Sequence, residues 1–412
     1  MERFTGLLGI VLILGVSFLM SNNRKAINYR TVGVGLLIQV GLAVFILKTE
    51  VGQATFQWLG DSINTLLGQA DKGAQFVFGS LVDRKLMSQA FGAGNDYIFF
   101  FKVVPTIIFV AVLVNMFYHL GVLQRVVSTM GKGVHWLMGV SGAEALSNVA
   151  STFVGQVEAQ IMIKPYLKNM TNSELMASMT GSFACIAGGV MAVYISLGVP
   201  AAYLLAASLM AAPGALVISK IMFPETEKSE TEGMVKMDII KTHANLVDAI
   251  AAGASEGLKV GLNVIAMLIG FIALIALVDL GLGQIGSWIN MPSLSMNLIL
   301  GKVFSVFAFA MGVPAQDVEV AGALMGKKMV VNEFVAYLDM VHLKATLDPK
   351  TIAITSFALC GFANFSSVAI QIGGIGELAP TRRSDLAKLG FKALIAGTLA
   401  SYLSATLAGL LL

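Results

Sequence analysis

Long stretches without a charged side chain alternate along this chain with short links where the charges collect. A helix needs about 20 mostly apolar residues to cross the hydrocarbon core of a bilayer. The uncharged runs 4–20, 31–47, 103–123, 260–278 and 393–412 approach or reach that length and read as simple spans. Residues 175–219 hold no charge, too many for one crossing, and Gly198-Val199-Pro200 at their middle signals a turn, so they predict two spans. An eighth span covers 351–376, where Cys360-Gly361-Phe362-Ala363-Asn364-Phe365-Ser366-Ser367 places a polar, glycine-containing stretch at the centre and predicts a broken helix. The first run resembles a signal peptide in its apolarity, but no small-x-small cleavage pattern precedes Asn22-Asn23-Arg24-Lys25, so a retained helix is expected.

Two further apolar segments are interrupted by acidic tips. Glu158, in Gln156-Val157-Glu158-Ala159, lies 27 residues before Cys185, and Glu333, in Asn332-Glu333-Phe334-Val335-Ala336, lies 27 residues before Cys360. The second half thus repeats the first: a short apolar segment, a Glu-bearing tip, another short segment, a long helix with a polar interruption, and a final span. Segments this short cannot each cross, so 141–163 and 318–337 read as re-entrant helical hairpins. Non-helical backbone at membrane depth survives only against protein or water, which turns both tips toward a cavity. Between 49 and 96 the chain is too polar to cross; Leu59, Ile63, Leu66 and Leu67 recur at helical spacing, as in an interfacial amphipathic helix or one packed on its neighbours.

The expected fold is therefore an all-α polytopic membrane protein with about eight transmembrane helices, two re-entrant hairpins in repeated units, and interfacial amphipathic helices. Residues 1–135 would be scaffold and interfacial helices, 136–222 the first transport repeat, 223–300 a charged linker and scaffold helix, and 301–412 the second repeat. Arg24, Lys25 and Arg30 crowd the first link and Arg382, Arg383, Lys388 and Lys392 the last; the positive-inside rule puts both in the cytoplasm, and both chain ends outside.

Composition agrees. The chain is 56% hydrophobic and 12% charged, and its net charge of +3 is too small and too dispersed for a nucleic-acid partner. Two cysteines and four histidines, in no ligand-like spacing, supply neither a zinc site nor a disulfide framework. Chemistry is left to carboxylates, amides and backbone, without a cofactor. Paired, interrupted segments in corresponding halves point to a secondary transporter with its site near the midplane. Glu158 and Glu333 are its sharpest candidates, because a carboxylate within an apolar segment is costly and by default functional. Gln156, Asn364, Ser366 and Ser367 would assist. With few bases nearby, these groups suit a neutral, hydroxyl-rich solute with a heteroaromatic face, for which Phe362 offers stacking, or else an organic cation; an intramembrane enzyme using the two glutamates as acid and base is the remaining reading.

These same residues resemble the concentrative nucleoside transporter family, bacterial branch. The likeness runs through Ser21-Asn22-Asn23-Arg24-Lys25-Ala26-Ile27, Phe153-Val154-Gly155-Gln156-Val157-Glu158, Ile186-Ala187-Gly188-Gly189-Val190, Pro224-Glu225-Thr226-Glu227-Lys228, Asn332-Glu333-Phe334-Val335-Ala336-Tyr337 and 360–367. It implies an inner-membrane symporter importing nucleosides on a proton or sodium gradient. Gln156 and Glu158 would hold the nucleobase, Glu333, Asn364 and Ser367 the ribose, with Val190 and Phe362 against the base. It also implies a homotrimer with a static scaffold and a moving transport domain. A sodium site would draw on Ser151, Val154, Cys185 and Ile186. Three positions depart from the sodium-coupled pattern: Ser151 replaces an Asn, Cys185 a hydroxyl residue, and Val157 a Thr. A thiol is a poor ligand for a hard cation, which favours proton coupling carried by a hairpin glutamate.

Overall fold

The computed structural model describes residues 2–92, 98–233, 235 and 243–412. All regular elements among them are helical. The polar end of the 49–96 stretch and part of the charged linker fall outside the described residues.

Helix ends fall where capping side chains and turns put them. Asn28 accepts from the amides of Arg30 and Thr31 to open Tyr29–Lys48. Ser141 and Glu144 form a reciprocal capping box at the start of Gly142–Ser151, and Thr171 with Glu174 repeats the device for Asn172–Ala184. The uncharged run 175–219 is indeed two spans. Asn172–Ala184 and Gly188–Leu197 form one crossing, Ala201–Met222 the next, and Gly198, at φ +109°, turns the chain between them. The predicted eighth span is broken as expected, into Pro349–Leu359 and Phe365–Leu378. Tyr29–Lys48 contains the run 31–47, Glu2–Leu19 and Arg383–Leu411 hold all but the last residue of 4–20 and 393–412, and Phe99–His119 carries most of 103–123.

Both hairpins are present. Gly142–Ser151 leads to a non-helical tip over 152–157 and returns through the short helices Glu158–Ile161 and Lys164–Leu167. Val318–Val330 turns at Val331 and Asn332 into Glu333–Leu343. Each expected acid thus opens the returning helix of its hairpin, and each cysteine stands at the break of its unit.

Two helices differ from expectation. The run 260–278 is the centre of a 43-residue helix, Leu246–Trp288, about 64 Å long at 1.5 Å per residue, because Glu256, Lys259 and Asp279 continue the helix that they exclude from the uncharged run. Its Gly253, Gly257 and Gly261 lie against Phe99–His119 so closely that a Cβ at Gly257 would stand 2.6 Å from Ile108 Cα. Met296–Ala310 is an apolar helix that Lys302 divides in the sequence; Gly301 and Gly322 bring it against hairpin 2, and Lys302 reaches Glu319 there.

Between 49 and 96, Glu50–Leu67 buries Phe56, Gly60 and Leu67, with Gly60 against Ala201, and leaves Trp58 and Leu66 exposed. Core packing and an outward apolar surface are combined in one helix. The basic links converge on one end of the molecule. There Asn22 donates to the Met222 carbonyl (3.1 Å), the Thr171 hydroxyl to Glu225 (2.7 Å), and Arg382 to Asn172 (3.1 Å). That clustering suits a single cytoplasmic face.

Candidate functional site

Where the two broken helices cross, the repeats meet. Gly361 has φ +141°, and a Cβ there would stand 2.7 Å from the Phe183 carbonyl oxygen. Freed by this turn, the Phe362 amide donates to the Cys185 carbonyl of the other break at 3.2 Å. The first tip is bound to its own break, since the Gly188 amide donates to Phe153 O at 3.1 Å. Two interruptions and two tips are thereby gathered at one place.

Each tip packs on the second half-helix of the opposite repeat. Ser367, Gln371 and Gly374 form one face of Phe365–Leu378, and hairpin 1 lies along it. The Gln156 amide donates to Ser367 Oγ (3.4 Å) and accepts from Gln371 (3.3 Å), while Val157 rests where a Cβ on Gly374 would be 2.6 Å from it. In the opposite sense, Glu333 of hairpin 2 faces Gly188–Leu197 and accepts from Tyr194 Oη at 3.0 Å.

Glu333 is 5% exposed. Its second oxygen accepts from Asn364 Nδ2 at 2.9 Å. Asn364 caps Phe365–Leu378 with its other atom, Oδ1, which takes the amide of Ser367 (2.8 Å) and the hydroxyl of Ser366 (2.7 Å). The capping bond fixes how the amide points and so aims its NH2 group at the carboxylate. Tyr194 stacks tilted on Tyr337 at 4.5 Å and meets Phe334 edge-on at 5.7 Å, which walls one side of Glu333 with rings. Neutral donors hydrogen-bond this buried carboxylate, and no base forms an ion pair with it among the described residues.

The expected residues are therefore only partly united. Gln156, Glu333, Asn364 and Ser367 form one hydrogen-bonded group. Val190, one turn before Tyr194, and Phe362, two residues before Asn364, are half-buried beside it. Glu158 stands apart in character: it is exposed, its carboxylate folds back over Gly155, and it has no hydrogen-bond partner among the described residues. Tyr194 and Gln371 were not anticipated. Gln371 was legible as a lone amide one turn after Ser367 on an apolar helix; Tyr194 gave no signal beyond being aromatic.

At the expected cation position one hydroxyl is hydrogen-bonded and two carbonyls are free among the described residues. Ser151 donates to Ser147 O (2.8 Å) and shares a hydrogen with Ser182 Oγ (3.1 Å), which also takes the Gln160 amide (3.0 Å). Cys185 Sγ faces Thr152 Oγ1 at 3.8 Å. The carbonyls of Val154 and Ile186 accept no hydrogen bond among the described residues and are the oxygens left over. Two carbonyls, a bonded hydroxyl and a thiol make a meagre set for a hard cation.

Comparison with known proteins agrees with this architecture. Residues 8–81 match the family model described as the N-terminus of Na+ dependent nucleoside transporters, 203–409 its C-terminus, and 100–201 a nucleoside recognition model. The chain is 44% identical to an uncharacterized transporter of Haemophilus influenzae, covering 100% of this chain and 98% of that protein. It is 38% identical to the nucleoside permease NupC of Helicobacter pylori, over 98% of this chain and 96% of the permease. Its fold matches CNTnw in an inward-facing substrate-bound state with a TM-score of 0.94 and 40% identity, over 100% of this chain and 98% of that one. These relatives are transporters and leave the enzyme reading without support. Broken helices crossed at their interruptions, paired hairpins and end-to-end likeness together establish that this multi-pass membrane protein belongs to the concentrative nucleoside transporter family.

Proposed function

We propose that this ion-coupled nucleoside importer of the inner membrane holds its substrate between the two hairpin tips. Glu333, Asn364 and Ser367 take the ribose hydroxyls, Gln156 and Glu158 the base edge, and Val190 and Phe362 the base faces. The observation that carries the reading is the Glu333 carboxylate, buried and hydrogen-bonded by the neutral donors Tyr194 and Asn364. A sugar diol can exchange for those donors without breaking an ion pair. Gln371 extends the base-binding group by orienting Gln156.

The coupling ion in this proposal is the proton. Support comes from the thiol of Cys185, a poor ligand for a hard cation, at a position where the sodium-coupled pattern has a hydroxyl. Uptake by proteoliposomes at fixed pH should be indifferent to replacing sodium by choline and should collapse with a protonophore; strong sodium dependence would overturn this part. Residues 136–222 and 301–412 form the moving unit, 1–135 and 223–300 the scaffold, and three chains assemble through scaffold helices. The exposed apolar side chains of Leu246–Trp288, such as Ile269, Leu277 and Leu280, support a face that lipid or another copy covers. Competition of labelled uridine uptake by a panel of nucleosides tests the substrate class, and loss of competition by free bases or by ribose-lacking analogues is the expected pattern.

A further inference from the structure

Lys328 lies in the last turn of the first helix of hairpin 2, Val318–Val330, and is 1% exposed. Its neighbour Lys327 pairs with Asp339, whereas Lys328 has no ion-pair partner among the described residues. Its ammonium makes a single hydrogen bond there, 2.9 Å to the Ala358 carbonyl. An ammonium buried on these terms is costly and calls for a role.

Ala358 is the penultimate residue of Pro349–Leu359. In an unbroken helix its carbonyl would receive the amide of residue 362. That amide instead donates to Cys185 O, because Gly361 turns the chain across the other break. Lys328 replaces the diverted donor, and its positive charge suits the carbonyl end of a helix. Two residues past Phe362, Asn364 turns its amide to Glu333; its own N–H, bonded to Phe362 O at 2.9 Å, ties it to the same loop.

We propose that Lys328 is a positioning residue for ribose recognition: by filling the acceptor orphaned at the break, it holds the 360–364 loop so that Asn364 stays on Glu333. This inference rests on the ribose assignment made above. Lys328 itself does not touch the sugar.

The test titrates uridine and 2′,3′-dideoxyuridine into the full chain in nanodiscs, for the unmodified protein, Lys328→Met, Lys328→Gln and Glu333→Gln, with thermal unfolding of each. Lys328→Met is expected to weaken uridine binding about tenfold, the scale of one lost hydrogen bond. It should leave dideoxyuridine binding nearly unchanged, with thermal unfolding checking that the variant is folded. Lys328→Gln keeps a donor for Ala358 and should retain the preference for uridine. Equal losses for both ligands, or an unchanged preference in Lys328→Met, would overturn the proposal. Loss of the preference in Lys328→Gln would do so as well, even if the Met variant did not fold. If the unmodified protein shows no preference for uridine, the ribose assignment itself fails. If Glu333→Gln loses the preference and Lys328→Met keeps it, only the role of Lys328 falls.

Discussion

Glu333 and Glu158 occupy equivalent places in the two repeats, yet their surroundings set them different tasks. Glu333 is enclosed, with Tyr194 and Asn364 on its two oxygens, while Glu158 is exposed and unbonded among the described residues. Replacing the Glu333 carboxylate removes a charged acceptor, worth roughly 1.5–3 kcal/mol per hydrogen bond to a charged group. Glu333→Gln should therefore weaken uridine affinity by about 10- to 100-fold with folding intact, measured by titration and thermal unfolding; near-normal affinity would remove Glu333 from the site. Tyr194→Phe keeps the ring packing and deletes one donor. It should change uridine affinity by less than about tenfold, the range of a single neutral hydrogen bond, and a complete loss of binding would contradict that ranking. Sequence made Gln156, Glu333, Asn364 and Ser367 legible, because each is a polar group stranded in apolar surroundings. It hid Tyr194, whose partner comes from the other repeat, and it gave no sign that the two glutamates would differ in burial.

The elements that carry these residues depend on the breaks more than on the helices. Gly361 cannot gain a Cβ without meeting the Phe183 and Ala184 carbonyl oxygens at 2.7 and 2.8 Å, and its φ of +141° disfavours any L side chain. Gly361→Ala should then lower stability by about 1–3 kcal/mol from backbone strain alone, read as a depressed unfolding midpoint, and should weaken uridine binding with it. An unaffected variant would mean that the crossing is not fixed as described. The broken helix at 360–364 was readable from its polar, glycine-containing stretch, and the turn at 198–200 from Gly and Pro. The 43-residue helix and Met296–Ala310 were not, since uncharged-run length stops at Lys259, Asp279 and Lys302, while a helix does not. Their extra length is stabilised by close packing at glycines, a tertiary property that leaves little trace in local hydropathy.

At the scale of the whole molecule, the repeats are tied to each other at their ends as well as at the site. Arg382, in the turn before the last helix, donates to the carbonyls of Leu167, Lys168 and Met170 behind hairpin 1. Lys344, behind hairpin 2, donates to Gly198 O in the matching turn of the first repeat at 2.9 Å. Arg382 makes several bonds where Lys344 makes one. Arg382→Gln should thus lower the maximal uptake rate more than Lys344→Gln does, with KM little changed in either; the reverse order in initial-rate measurements would count against two unequal clasps. The central claim is that the crossed breaks and hairpin tips enclose one nucleoside and carry it across against its gradient. Uptake of labelled uridine by proteoliposomes under an imposed proton gradient addresses it most directly. Intact uridine is expected to accumulate above the outside concentration, an accumulation abolished by a protonophore and strongly reduced by Glu333→Gln; no accumulation by the unmodified protein, or undiminished accumulation by the variant, would contradict that claim.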